Sequence, residues 1–121
     1  FDVNLRHHFF AAQAVHPHMK ELGFGSIINF SSIAWRFGAD QMVAYATAKG
    51  AVVALTRALA RSFGSDNIRV NAVEPGDQTV QRQLIRHVLL GEEIARTVLF
   101  LAADDSRMIT KQSIAVDAGL R

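Results

Sequence analysis

The sequence YATAK, residues 45–49, decides how the rest of the chain is interpreted. Residues four apart on a helix share a face, so the phenol of Tyr45 and the ammonium of Lys49 should point the same way. A nearby cation favours phenolate over phenol. The pair is therefore a candidate acid/base unit for chemistry near neutral pH.

The segment GSIINFSS, residues 25–32, lies just upstream. Its apolar residues 26–30 are typical of a short, buried parallel strand. The strand ends at Ser31-Ser32, and the following loop leads into the helix that carries Tyr45. This order of strand, loop and helix can bring Ser32, Tyr45 and Lys49 around one pocket. Tyr-x-x-x-Lys alone occurs by chance, but with this upstream segment at this spacing it is a specific signal.

The chain resembles the C-terminal half of a short-chain dehydrogenase/reductase (SDR). The resemblance implies an α/β fold: a partial Rossmann-like, doubly wound parallel sheet, with the last three strands and their helices. Residues 1–121 would then be the C-terminal half of one such domain, and the Gly-rich cofactor half is absent from the sequence. The matching segments are DVNL (2–5), GSIINFSS (25–32), residues 45–61, NIRVNAVEPG (67–76), EIA (93–95) and VDAG (116–119).

The resemblance also implies a reaction. An NAD(P)-dependent oxidoreductase of this type transfers hydride between nicotinamide and a carbonyl or secondary alcohol, here one of a sugar, a polyol or a 3-oxoacyl-like group. Tyr45 would be the general acid/base, and Lys49 would assist Tyr45 and bind the nicotinamide ribose. Ser32 would hold and polarise the substrate oxygen. Asn4 would anchor a water that relays protons to the lysine.

On the cofactor side, Pro75-Gly76 matches the turn that lies under the nicotinamide. In the family a hydroxyl residue a few positions after this turn binds the nicotinamide carboxamide, and Thr79 lies one position away from the usual place of that residue. The cofactor is NAD or NADP, and the sequence leaves that choice open. Gly23-x-Gly25 precedes a strand, which is the wrong order for a phosphate-binding turn. We therefore expect the chain alone to bind NAD(P) poorly.

Periodicity and turn residues predict the order of elements. The predicted elements are a helix over 1–22, a strand over 26–30, a loop over 33–43, a helix over 44–63, a strand over 67–74, a helix over 92–103 and a strand over 112–116. The loop over 33–43 carries Trp35, Arg36, Phe37 and Met42, which form either a wall of the substrate pocket or a layer packed on their own helix. Gly64 should cap the central helix over 44–63.

The chain departs from the family pattern in three places. The stretch from Gly76 to Glu92 is shorter than the lid that family members usually carry over the substrate. Lys111 and Ala118 each stand where glycine is usual. We expect these two replacements to be structural and mild.

Composition excludes several classes of function. The 121 residues suit a single domain and are 50% hydrophobic, so a core can form. The net charge of +2 comes from dispersed residues, which argues against nucleic-acid binding. No apolar run approaches the roughly 20 residues of a membrane helix. The absence of cysteine fits a cytoplasmic protein. His7 with His8, and His16 with His18, lack the i,i+4 spacing of helical metal ligands, so we expect no metal site.

Two hypotheses remain open. The first is an enzyme whose upstream residues precede Phe1, because a separate gene product would begin with Met. The second is a catalytically inactive, truncated fragment that acts as a self-associating or interaction module, which a true deletion within 76–92 would favour. In either case the unpaired edge of the first strand, or the first two helices, should support a homo-oligomer or contact with a partner fragment.

Overall fold

A computed structural model describes residues 1–77 and 79–120 of the chain. It has an α/β fold with a three-stranded, all-parallel sheet in the order β1-β2-β3, which confirms the predicted fold class. A π-helical turn, Asp2–Arg6, precedes the first helix. The elements are α1 (His7–Leu22), β1 (Gly25–Phe30), α2 (Ala34–Phe37), α3 (Val43–Phe63), β2 (Ile68–Pro75), α4 (Gly91–Ala102) and β3 (Ser113–Val116), with 3-10 turns at Gly64–Asp66, Val80–Arg82 and Asp104–Ser106.

The helices cover both faces of the sheet. Asn29 of β1 donates a hydrogen bond from Nδ2 to Oγ1 of Thr56 on α3 (3.0 Å). Ser26 of the same strand donates from Oγ to the carbonyl of Leu101 on α4 (2.9 Å). Since positions 26 and 29 of a strand point to opposite faces, α3 and α4 lie on opposite sides of β1. This is the doubly wound arrangement that the resemblance implies.

The central strand β2 forms the core of the sheet. Its residues Val70, Ala72 and Val73 are fully buried. β1 pairs with it from Gly25↔Ile68 to Phe30↔Val73, so the carboxyl ends of both strands reach the same edge. Parallel strands covered on both faces need such a continuous apolar run.

One local prediction was wrong: the predicted loop over 33–43 contains the short helix α2. Gly64 is the C-cap of α3, as predicted, with its N–H donating to the carbonyl of Ala60, but its backbone is right-handed, with φ of −60°, and it begins a 3-10 turn. The left-handed residue is Asn67, with φ of 60°, whose Nδ2 donates to the carbonyl of Gly23 (3.0 Å). The chain takes one more tight turn before it enters β2, and Asn tolerates this conformation better than most residues.

The helices of residues 1–77 and 79–120 include none that is long and apolar enough to cross a membrane. The outer surface of α1 and the turn after it nevertheless expose large apolar side chains. Phe9, Phe10 and Phe24 are about half or more exposed, and Phe30 at the end of β1 is 40% exposed. Within the described residues β1 pairs only with β2, so its other edge is open. Association through this edge or through the first helices stays a prediction.

The two positions at which the chain lacks a usual glycine are strained. Lys111 has φ of 65° and Ala118 has φ of 53°, both in the left-handed region. In this region a residue with a Cβ raises the conformational energy of the folded chain by about 1–2 kcal/mol. Gly avoids this strain, although it makes the unfolded chain more flexible. The replacements are structural, as expected, and they carry a cost in stability.

We therefore expect Ala118→Gly to raise the free energy of unfolding by roughly 0.5–1 kcal/mol, because relief of strain exceeds the added chain entropy. The control is Ala95→Gly in the exposed part of α4, which should lower the free energy of unfolding by a similar amount. Urea denaturation of the three proteins measures both effects. Equal destabilisation by the two substitutions would contradict strain at position 118.

Candidate active site

Tyr45 and Lys49 lie one turn apart on the first half of α3. The Lys49 ammonium nitrogen is 5.6 Å from the centroid of the Tyr45 ring. It also donates a hydrogen bond to the carbonyl of Phe30 at the end of β1 (3.0 Å). Partial burial of the ammonium lowers the pKa of Lys49. The predicted pairing on one helix face is confirmed, and a strand end fixes the lysine.

The Ser31-Ser32 turn joins β1 to this part of α3. Ser31 is buried, and its Oγ donates to the carbonyl of Lys49 (2.7 Å). Ser32 is half-buried, and its Oγ accepts a hydrogen bond from the backbone N–H of Ala34 (3.2 Å). Ser31 therefore has a structural role, whereas the Ser32 side chain lies at the wall of an open space.

That space is a cavity of about 520 Å³ at the carboxyl edge of the sheet. Among its lining residues are four of those predicted from sequence: Ser32, Tyr45, Pro75 and Gly76. The N–H of Gly76 donates to the carbonyl of Val116 (2.9 Å), which fixes this turn against β3. A Cβ at Gly76 would lie 2.8 Å from the Cα of Asp117, so the close approach of these two segments requires glycine.

The predicted aromatic loop contributes only part of the cavity wall. Phe37 and Met42 line the cavity, and the Arg82 guanidinium lies 5.4 Å from the Phe37 ring centroid. Trp35 and Arg36 point elsewhere, toward β2. Phe37 and Met42 thus form part of the cavity wall, and Trp35 also packs close to Gly50 of α3, whereas Arg36 fits neither interpretation because it bonds to β2.

Two predicted residues stand apart from the cavity. Asn4 lies in the half-buried π-helical turn before α1, and the hydrogen bonds of residues 1–77 and 79–120 include none from its side chain to Lys49. The N–H of Thr79 donates to Oδ1 of Asp77 (2.8 Å), and Asp77 but not Thr79 lines the cavity. Hydrogen bonds from Thr79 lower the pKa of the Asp77 carboxyl. The roles proposed for Asn4 and Thr79 stay predictions.

Sequence reasoning missed a buried carboxylate beside the cavity. Glu74, the residue before Pro75-Gly76, is fully buried. Arg36 donates to it from Nε (2.6 Å to Oε2) and from Nη2 (3.2 Å to Oε1). The indole Nε1 of Trp35 donates to Oε2 (3.2 Å), and the hydroxyl of Ser113 donates to Oε1. The sequence did contain one signal for this cluster: Glu74 is a charged residue within an apolar strand, and a buried carboxylate needs hydrogen-bond partners.

Opposing effects act on the pKa of Glu74. Burial raises it, but hydrogen bonds from Arg36 and Ser113 and the positive charge of Arg36 outweigh burial and hold the pKa below its ordinary value. The same interactions raise the pKa of Arg36. Both groups are therefore ionised at neutral pH.

The histidines form no metal centre in residues 1–77 and 79–120, where no group of three or more potential ligands occurs. The rings of His7 and His8 do lie together, with centroids 4.0 Å apart, so adjacent positions at the start of α1 can approach more closely than helical spacing predicts. Burial, followed by the charges of His7 and Lys49, lowers the pKa of His8.

The fold and cavity place this chain among α/β proteins that hold ligands where parallel strands end. A family model described as "Enoyl-(Acyl carrier protein) reductase" matches residues 1–121. This model describes SDR sequences, and the chain therefore belongs to the short-chain dehydrogenase/reductase family.

Three similar proteins illustrate the relationship. D-xylose 1-dehydrogenase of Caulobacter vibrioides is 42% identical over 136 residues, which cover 99% of this chain and 55% of the relative. "Probable galactose dehydrogenase GalD" of Rhizobium meliloti is 41% identical over 135 residues, which cover 98% and 53%. The structure of 4-hydroxyisoleucine dehydrogenase complexed with NADH and succinate superposes with a TM-score of 0.90 at 31% identity, covering 98% of this chain and 56% of that one.

The chain spans about half the length of these relatives. The alignments are also longer than the 121 residues of this chain, so the relatives carry additional residues inside the matched region. That agrees with a shortened internal segment. Its location at 76–92 stays a prediction.

The Glu74 cluster yields a pH prediction. Because the pKa of Glu74 is lower in the folded protein than in the unfolded chain, its ionisation stabilises the fold above the ordinary carboxyl pKa. That contribution disappears as the pH falls through the lower, folded pKa. Glu74→Gln should thus lower the free energy of unfolding by about 3 kcal/mol or more at pH 7, and by progressively less as the pH falls.

Denaturant unfolding of wild type and variant between pH 7 and pH 3 measures this difference. The control, Glu92→Gln, removes an exposed ion pair with Arg96 and should change the free energy of unfolding little at any pH. A cost of Glu74→Gln that stays constant down to pH 3 would contradict the assignment.

Proposed function

We propose that residues 1–121 form the nicotinamide-side, C-terminal half of an NAD(P)-dependent SDR oxidoreductase. The reaction is hydride transfer between nicotinamide and a carbonyl or secondary alcohol. One observation carries the proposal: Tyr45 and Ser32 line one cavity at the sheet edge, and the Lys49 ammonium lies beside the Tyr45 ring. A phenol, a hydroxyl and a cation in this arrangement suit proton transfer at a substrate oxygen.

Each residue has a role in this proposal. Tyr45 exchanges a proton with the substrate oxygen, since its phenol borders the cavity. The Lys49 charge stabilises negative charge on the phenol oxygen during that exchange. Ser32 donates a hydrogen bond to the substrate oxygen and restricts its position. Asn4, on the turn before α1, holds a water that returns protons to Lys49.

The residues present fit the nicotinamide end of the cofactor. When bound, the nicotinamide supplies or accepts the hydride. Pro75, Gly76 and Tyr45 all line the cavity. Thr79, whose N–H donates to the cavity-lining Asp77, is the candidate for binding the carboxamide. Gly23 has φ of 85° and ends α1, so the Gly23-x-Gly25 segment serves as a helix cap and not as a phosphate turn.

The substrate we propose is a sugar or another secondary alcohol, with D-xylose as the first compound to test. Two of the relatives described above are named as dehydrogenases of D-xylose and galactose. The choice between NAD and NADP stays open, because the residues that select it precede this segment in the family. We propose a cytoplasmic location, and a homo-oligomer that forms through α1 or the open edge of β1.

A second candidate function is a non-catalytic association module. The exposed Phe9, Phe10 and Phe24 and the open edge of β1 favour it. Calorimetric titration of NAD⁺ and NADPH into the chain, with its mass in solution, separates the two. Micromolar binding supports the enzyme, and a defined oligomer without binding supports the module.

The assignment of Tyr45 predicts the effect of Tyr45→Phe in the intact enzyme that contains residues 1–121. Turnover should fall roughly 10²–10⁴-fold, because the acid/base group is lost. Affinity for the cofactor should change little. Initial rates of D-xylose oxidation with NAD⁺ or NADP⁺, together with cofactor titration, measure both quantities. Near wild-type turnover in the variant would contradict the acid/base role of Tyr45.

Lys49→Ala should reduce both turnover and cofactor affinity, because the same ammonium faces the tyrosine and the proposed ribose site. We expect at least a tenfold loss in each. Lys20→Ala, which removes a lysine that is 63% exposed near the end of α1, serves as the matched control and should leave both unchanged. A loss of turnover with unaltered cofactor affinity would contradict the ribose contact.

A further inference from the structure

The cluster around Glu74 borders the proposed catalytic cavity but takes no part in the proton transfer described above. Its partners Trp35 and Arg36 lie on α2, within a segment that also forms part of the cavity wall. Ile33, Ala34 and Phe37 line the cavity, while Trp35 and Arg36 bind Glu74. The segment thus presents one side to the cavity and is attached to β2 by the other.

The segment has few other anchors: the Ile33 N–H donates to the Pro75 carbonyl (3.3 Å), Ser32 Oγ accepts from the Ala34 N–H (3.2 Å), and the Arg82 guanidinium lies 5.4 Å from the Phe37 ring centroid. The helix α2 has only four residues, and so short a helix is not stable by itself. Gly38, in the left-handed region with φ of 65°, ends it. The Trp35 side chain packs close to Gly50 of α3, which supplies a contact but no directional bond. The directional bonds from the α2 side chains go to Glu74.

The hydrogen bonds to Glu74 belong to the stronger kinds found in proteins. The carboxylate is fully buried, so few water molecules compete for it. The hydrogen bonds from Arg36 are charge-assisted and bidentate. The hydroxyl of Ser113 fixes the other side of the carboxylate to β3. Glu74 therefore connects the end of the sheet to the wall that carries Phe37.

We propose that Glu74 is a positioning residue that holds the α2 wall of the catalytic cavity through Arg36 and Trp35, and so fixes Phe37 against the substrate. This inference rests on the proposed function for its consequence in catalysis. It predicts that loss of Glu74 affects substrate binding more than proton transfer. The position of the wall itself can be tested without turnover.

The chain contains no cysteine, so a single thiol can report on the wall. Ala34→Cys places that thiol on the α2 segment at the cavity. We would measure its reaction with 5,5′-dithiobis(2-nitrobenzoate) in the otherwise wild-type chain and with Glu74→Gln added. The proposal predicts that Glu74→Gln raises the labelling rate at least about tenfold under native conditions. Glu92→Gln, which breaks an exposed ion pair on α4, is the control and should leave the rate unchanged.

Two measurements separate local from global effects. Urea unfolding identifies any labelling that follows from loss of the whole fold. If Glu74→Gln does not fold, Arg36→Met changes the half-exposed partner instead and should also raise the labelling rate. An unchanged labelling rate in a folded variant of either residue would overturn the proposal.

Kinetics test the consequence for catalysis. In the intact enzyme that contains residues 1–121, with D-xylose and NAD⁺ or NADP⁺, Glu74→Gln should raise KM about tenfold and change kcat less than about twofold. A lower kcat with unchanged KM would overturn the proposal. If that intact wild-type enzyme does not oxidise D-xylose while the labelling result holds, the proposed substrate fails and the positioning of the wall by Glu74 stands.

Discussion

The parallel pairing of β1 with β2 is the constraint on which the site depends. Its register brings the ends of the two strands to one edge, and its hydrogen bonds continue past them. The N–H of Ser31 donates to the carbonyl of Val73 (2.9 Å), and the N–H of Ile33 donates to the carbonyl of Pro75 (3.3 Å). The serine turn and the Pro75-Gly76 turn are therefore held side by side. A shift of one residue in this register would point the side chains of the strand to the opposite face.

The helix α3 adds the third part of the site, and two of its side chains bond to the end of β1. Thr56 accepts from the buried Asn29, and Lys49 donates to the carbonyl of the next residue, Phe30. Tyr45 lies one turn further along, over the cavity. Tyr45, the proposed acid/base group, thus takes its position from the sheet, although it belongs to a helix.

The residues predicted most reliably from the sequence were those fixed by local geometry. Tyr45 and Lys49 share a face because of helical spacing, and Ser32 follows the strand that its apolar neighbours predict. The contacts of Glu74 with Arg36 and Ser113 join residues 38 and 39 positions apart, so no local pattern reveals them. Two buried asparagines likewise bond to distant partners: Nδ2 of Asn71 donates to the carbonyl of Ile109, and Nδ2 of Asn29 donates to the hydroxyl of Thr56. The left-handed turn at Asn67 lies after the 3-10 turn that follows the Gly64 cap, so the position of the glycine did not indicate it.

The proposed function requires that the cavity beside Tyr45 receive the nicotinamide end of a dinucleotide. Titration of the isotope-labelled chain with nicotinamide mononucleotide, followed by amide chemical shifts in NMR spectra, tests this requirement. We expect saturable shifts at Tyr45, Lys49 and Gly76, with millimolar affinity, because the probe lacks the adenine half. Tyr45→Phe should preserve these shifts elsewhere in the cavity. Saturable shifts confined to another surface such as α4, or no shifts up to about 10 mM, would contradict the claim.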